Sequence, residues 1–216
     1  MATSIFFRGK IYLATRGPSD SLRFCVGTVV QLCRGFARGY WLVFLGRKVT
    51  IRARRQVQIG RFTRVEDYCE LDGFGTHGLT IGVGCKIGKF SILRVPPVPY
   101  RRGQFIRVGD GTTFAEFCFV GGAGQVTIGK RNALGQYVSL HPQNHQPVGE
   151  RAKSGATERG ISIGDDNWLG AKVTVLDGAS IGDRSIVAAG AVVRGEFRSD
   201  VLLAGVPAVT KRSLSK

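Results

Sequence analysis

Acidic side chains are scarce in this 216-residue chain, with 15 Asp and Glu against 31 Lys and Arg. The net charge is 31 − 15 = +16, and residues 1 to 60 carry 11 Lys and Arg against the single acid Asp20. With 43% apolar residues a packed core is available, which excludes a disordered polyelectrolyte. Cysteine is sparse too: Cys25, Cys33, Cys69, Cys85 and Cys118 are odd in number, irregularly spaced and free of any CxxC. That pattern excludes a disulfide framework, a zinc ribbon and a thioredoxin-type redox site, and predicts small core thiols in a reducing cytoplasm. Long apolar runs are missing. The start of the chain is interrupted by Arg8, Lys10 and Arg16, which predicts no cleaved signal, and the run Tyr40 to Leu45 is six residues, far short of the roughly 20 needed to span a bilayer. Nucleic-acid signatures are also wanting, with no helix-turn-helix spacing, zinc finger or aromatic RNP strand, so no nucleic-acid partner is expected.

What the N-terminal region does contain is an amphipathic stripe. Leu22, Val26, Val29, Cys33, Phe36 and Tyr40 recur at steps of 4, 3, 4, 3 and 4, after a plausible N-cap in Ser19-Asp20-Ser21. Arg23, Arg34 and Arg38 fall off the stripe. The helix either docks this apolar side on the main domain or rests it on a membrane surface.

A repeat of six decides the fold. Ile163, Leu169, Val175, Ile181, Val187 and Val193 are aliphatic at a spacing of six, and glycine follows three of them (Gly164, Gly170, Gly182). The same phase runs through Ile59, Val65 and Leu71, through Ile81 and Ile87, through Val108, Phe114 and Val120, and through Ile128, Leu134 and Leu140. It breaks at 73–80, 94–107, 121–127 and 141–162, where loops should leave the repeat. Six is neither a helical period nor plain alternation; it fits a strand and a turn, three per coil, with each aliphatic on the axis of a triangular prism. The expectation is a mainly β, parallel β-helix of six to seven coils at about 18 residues each, with glycine supplying a permissive corner backbone. Residues 1–48 would form a basic helical cap, 49–195 the β-helix with a loop at 142–159, and 196–216 a C-terminal cap.

Chemistry has few places to sit. The three histidines are His77, His141 and His145, and the last two lie where the phase ends and a long polar excursion begins. His77 precedes His141 by 64 residues, more than three coils at about 4.8 Å per coil, so the histidines of one chain cannot share a metal, and no metal is expected. His77 reads as a surface turn residue.

The segment IGDDNWLGAKVTVLDGASIGDRSIVAAGAVV followed by AGVPA resembles the C-terminal signature of the hexapeptide-repeat acyltransferases, which include galactoside and maltose acetyltransferases and polysaccharide O-acetyltransferases. The resemblance covers roughly residues 49 to 212 and is tightest over 128 to 212. It implies a left-handed β-helix, a homotrimer, acetyl-coenzyme A as acyl donor and a catalytic histidine at His145, with His141 the lesser candidate. Gln143-Asn144-His145 is similar to the family's glutamate-asparagine-histidine string, with Gln143 in place of the acid, so another group must orient His145. Carried over by the same resemblance, the coenzyme contacts fall on Trp168, Gly170, Ala171, Ala189, Arg194 and Gly195, with Lys211 and Arg212 for the nucleotide phosphates. Glu116 and Asn144 fall beside the acceptor.

The activity implied is transfer of an acetyl group to a sugar hydroxyl of a bacterial cell-surface polysaccharide or its lipid-linked precursor, in the cytoplasm and with possible peripheral contact with an anionic membrane. An N-acetyltransferase acting on an amino sugar, and a non-catalytic β-helical scaffold, are the alternatives.

Overall fold

The computed structural model of the chain describes residues 18–98, 101–145 and 156–215. From Phe44 onward the chain winds as a left-handed parallel β-helix with three faces. The first face runs from Phe44–Leu45 through Arg64–Val65, Lys86–Ile87, Thr113–Phe114, Ala133–Leu134 and Trp168–Leu169 to Ile186–Val187. The second begins at Thr50–Arg52 and passes Ser139–His141 and Thr174–Leu176 to end at Val192–Val193. The third begins at Val57–Ile59 and passes Gln125–Ile128 and Ile161–Ile163 to end at Glu196–Phe197. Neighbouring coils pair in parallel register, as in Leu134↔Leu169↔Val187 and Leu140↔Val175↔Val193.

Each hexapeptide aliphatic points to the axis, as the spacing of six requires. On the third face Ile81, Val108, Ile128, Ile163 and Ile181 form one buried column, and Ile59 at its end is half-buried. The corners follow a second rule. Three residues before most axial positions the backbone is left-handed, at Phe62 (φ 61°), Arg131 (φ 56°) and Lys172 (φ 59°) among others, and glycine holds only some of these positions, such as Gly84 and Gly111. The glycines after the aliphatics serve a different purpose from the one expected. Their φ is not left-handed; it is the next coil that leaves no room. A Cβ on Gly60 would stand 2.5 Å from the Gly82 carbonyl, and one on Gly170 would stand 2.6 Å from the Ala189 nitrogen.

Buried polar residues tie successive coils at the corner between the third and first faces. Asn132 Nδ2 donates to the Gly164 carbonyl at 2.9 Å, the Asn167 N–H donates to Asn132 Oδ1 and the Ser185 N–H donates to Asn167 Oδ1, both at 2.8 Å. These amides satisfy turn backbone groups that would otherwise be buried without partners.

The breaks of phase share one corner, between the second and third faces. The axial residues bracketing it are separated by 8, 10, 15, 8 and 23 residues (Ile51–Ile59, Leu71–Ile81, Leu93–Val108, Val120–Ile128, Leu140–Ile163), against six at the other corners of those coils. Two of the expected loops do not leave the prism: Gly75–Ile81 and Gln125–Ile128 are strands of the third face, and the extra residues widen the corner. His77 accordingly lies in a strand rather than a turn, exposed and edge-on to Phe105 at 6.0 Å between ring centroids.

The ends are covered differently. Val201–Gly205 extends the first face in parallel, and Ala208–Ser213 folds back on it antiparallel. At the other end, helix α1 (Pro18–Ala37) packs beside the first strand, with Tyr40 buried beneath it. Its contact face is not the apolar stripe. Gly35 allows the approach, since a Cβ there would meet the Val43 carbonyl at 2.1 Å; the Arg64 guanidinium donates to Gln31 Oε1, and Arg38 donates to the Val49 carbonyl at 2.7 Å. Leu22, Val26, Val29 and Phe36 face solvent, which overturns docking of the stripe on the prism. The thiols divide the same way. Cys69, Cys85 and Cys118 are buried corner residues whose pKa burial raises to about 11, whereas Cys25 and Cys33 are exposed on α1 and are not core residues.

Candidate active site

Most of the residues singled out from the sequence lie at two corners, at opposite edges of the second face. At the corner between second and third faces, His141 ends the strand Ser139–His141 with its ring stacked on Phe119, 5.3 Å between centroids and 28° between planes. Burial lowers its pKa below the ordinary histidine value, so the ring is neutral at pH 7. The register His141↔Leu176 and Val175↔Val193 puts Arg194 and Gly195 at the same corner two coils further on, both exposed.

The excursion that opens after His141 closes at its base as a hairpin. Asn144–His145 pairs antiparallel with Ala156–Thr157, Asn144 opposite Thr157 and His145 opposite Ala156. The backbone of His145 is therefore placed at the foot of the excursion, while its side chain and residues 146–155 lie outside the described residues. The base is locked onto the prism. Gly160, at φ +90°, donates its N–H to Asp177 Oδ1 at 2.9 Å, and a Cβ on Gly124 would meet the Pro142 carbonyl at 2.3 Å.

At the corner between first and second faces, Glu116, Ala171 and Ala189 lie in one column, with Gly170 packed against Ala189. Glu116 and Ala171 are half-buried and Ala189 is exposed. Trp168 projects from the first face just before this corner, 57% exposed, and Lys211 and Arg212 lie exposed on the strand that closes that face. Small side chains along an exposed corner leave peptide groups within reach of a slender ligand, and the two cations suit phosphates at its end. This arrangement fits a pantetheine chain with a nucleotide. Within one chain it does not bring Glu116 to Asn144 or His145, which stand across the second face.

Two features escaped the sequence reading. Tyr68, Phe90, Phe117 and Tyr137, each in the left-handed corner position, stack as a ladder at 5.0, 5.1 and 5.0 Å with planes within 7°, and all four are exposed. Their recurrence three residues before an axial aliphatic was the available signal. The other is Glu158. One step along the hairpin register it falls opposite Gln143, and its Oε2 is buried. Nothing in a linear sequence signals that pairing.

A three-faced prism of hexapeptide coils, with small-residue corners and a long excursion carrying histidine, defines the chain as a β-helix of the hexapeptide-transferase type. A family model described as bacterial transferase hexapeptide, six repeats, matches residues 160–195. The protein named as the lipopolysaccharide biosynthesis O-acetyl transferase WbbJ of Escherichia coli is 30% identical over 165 residues, 68% of this chain and 76% of that protein. The chain therefore belongs to the hexapeptide-repeat acetyltransferase family. The galactoside O-acetyltransferase of Escherichia coli is 31% identical over 122 residues, 56% of this chain, and the matched stretch spans 60% of that enzyme's length. A hexapeptide-repeat containing acetyltransferase of Vibrio cholerae superposes with a TM-score of 0.51 at 23% identity, over 94% of this chain and 92% of that one, and so shares the fold.

Proposed function

We propose that the protein transfers an acetyl group from acetyl-coenzyme A to a sugar hydroxyl of a cytoplasmic precursor of a cell-surface polysaccharide. The observation that carries this reading is the pairing of a small-residue corner, at Gly170, Ala171 and Ala189, with a hairpin that fixes His145 at the foot of the excursion. His145, as a neutral imidazole, takes the proton from the acceptor oxygen while that oxygen attacks the thioester carbon. Backbone N–H groups at the cleft hold the developing oxyanion, and the thiolate then leaves and is protonated. No covalent enzyme intermediate is needed, because a thioester is already activated.

His145 needs a partner to set its tautomer, and Gln143 is not an acid. Glu158, opposite Gln143 across the hairpin, supplies the carboxylate for that positioning role. Asn144 and Glu116 contact the acceptor; Trp168, Arg194, Gly195, Lys211 and Arg212 hold the donor. Because the two groups of residues lie across the second face, the complete cleft forms between neighbouring subunits of a homotrimer. The exposed aromatic ladder supports such an assembly, since four stacked rings in water are an apolar stripe that a neighbouring subunit would cover.

The test is His145→Ala on the full chain. Turnover should fall roughly 100-fold to 10,000-fold, the usual contribution of a general base, with acetyl-coenzyme A binding retained. His141→Ala should lose far less. The reverse ranking in folded variants refutes the assignment of the base. An acceptor screen that finds acetylation only on amines replaces the hydroxyl with an amino sugar, and failure to bind acetyl-coenzyme A leaves a non-catalytic scaffold.

A further inference from the structure

Helix α1 is inverted with respect to the usual surface helix, which hides its apolar stripe and shows its polar face. Leu22, Val26 and Val29 are 66%, 54% and 58% exposed. Cys33 and Phe36 prolong the stripe, and Trp41 follows, 61% exposed, with its ring edge-on to Phe36 at 5.9 Å. Contact with the prism is left to the other side, through Gln31 and Gly35. A contiguous exposed apolar stripe on a 20-residue helix, about 30 Å long, marks a docking surface.

Charge identifies the occupant. Arg23 is exposed along the flank of the stripe, with Arg34 half-buried beside it. The first coil, against which α1 packs, adds Arg47, Lys48, Arg55 and Arg61, all exposed. A second copy of this chain would bring an equally basic end against the first, with repulsion that an apolar stripe of this width must overcome. An anionic lipid surface complements both properties at once: the aliphatic residues enter the acyl boundary while the guanidinium groups stay among the headgroups, and Phe36 and Trp41 are at home at that interface. We propose that α1 docks the protein in the plane of an anionic lipid bilayer, apolar stripe inward, with the first coil of the prism against the headgroups. The inference is independent of the acetyl-transfer reading, because it uses no residue of the cleft.

Co-sedimentation of the full chain with phosphatidylglycerol–phosphatidylcholine vesicles, and with phosphatidylcholine alone, tests it. The protein should partition to the mixed vesicles at low salt, be released as salt shortens the Debye length from about 10 Å at 0.1 M to about 3 Å at 1 M, and ignore the neutral vesicles. Arg38 also ties α1 to the prism, so the charge variant is Arg23→Gln/Arg34→Gln. Its partitioning should fall about 5-fold per arginine, roughly 25-fold together. Leu22→Ser/Val26→Ser/Val29→Ser should abolish binding with the melting temperature unchanged, since the three side chains are exposed. In a Trp168→Phe background, Trp41 emission should shift to the blue on adding the mixed vesicles. Absence of binding to mixed vesicles at low salt, or equal partitioning of the wild type and the serine variant, overturns the proposal. So does a serine variant that lowers the mass of the assembly in sedimentation equilibrium, which would give the stripe to a second copy.

Discussion

Ile163 and Ser162 are adjacent in one strand of the third face and offer the sharpest test of the prism. Ile163 is 1% exposed between Ile128 and Ile181, whereas Ser162 points to solvent beside Thr127 and Ser180. Ile163→Ala removes three carbons from the axis. At about 0.8 kcal/mol per buried methylene that is about 2.4 kcal/mol, and the cavity raises it because parallel hydrogen bonds on both sides prevent the coil from collapsing inward. The expected loss is about 3.5 kcal/mol, within the 2–5 kcal/mol range typical of such truncations. For a chain of this length it corresponds to a fall of roughly 10 °C in Tm. Ser162→Asp should stay within about 0.5 kcal/mol. Urea unfolding followed by circular dichroism measures both, with unchanged m showing that the same surface is exposed. If Ile163→Ala loses less than about 1 kcal/mol, or Ser162→Asp loses as much as Ile163→Ala, the register is wrong, since a slip of one residue exchanges the two faces.

Gly170→Val should destabilise the last coils and lower acetyl-coenzyme A affinity, because its Cβ would meet the Ala189 nitrogen at 2.6 Å and main chain cannot swing aside; calorimetric titration beside thermal melts checks both. Thiol labelling of the native protein should modify Cys25 and Cys33 quickly, and Cys69, Cys85 and Cys118 only on unfolding. Those three thiols also set an alkaline limit. Burial raises each from the ordinary 9.0 to about 11, so the folded state keeps protons that the unfolded state releases. Their stabilisation is intact below about pH 9 and is lost as pH rises toward 11, by about 1.4 kcal/mol per thiol per pH unit. A Cys69→Ala/Cys85→Ala/Cys118→Ala variant should show a flatter decline in urea midpoint across that window.

How much was legible in the sequence depends on the range of the interaction. The axial aliphatics and the number of coils could be read directly, because a six-residue period is local information repeated many times, and each copy must bury its own side chain. The cleft residues entered through resemblance rather than spacing, and only the fold separates them into two groups across the second face. Three matters were decided by tertiary contacts alone. The insertions collect at one corner, which no single break of phase reveals; it takes the stacked coils to align them. The orientation of α1 is set by Gly35 against Val43 and Arg64 reaching Gln31, so a helix whose stripe reads as a docking face turns that face outward. Glu158 comes opposite Gln143 only through the hairpin that closes the excursion. Periodicity determines which side of the backbone is buried, whereas partners that are distant in sequence become visible only when the chain is folded.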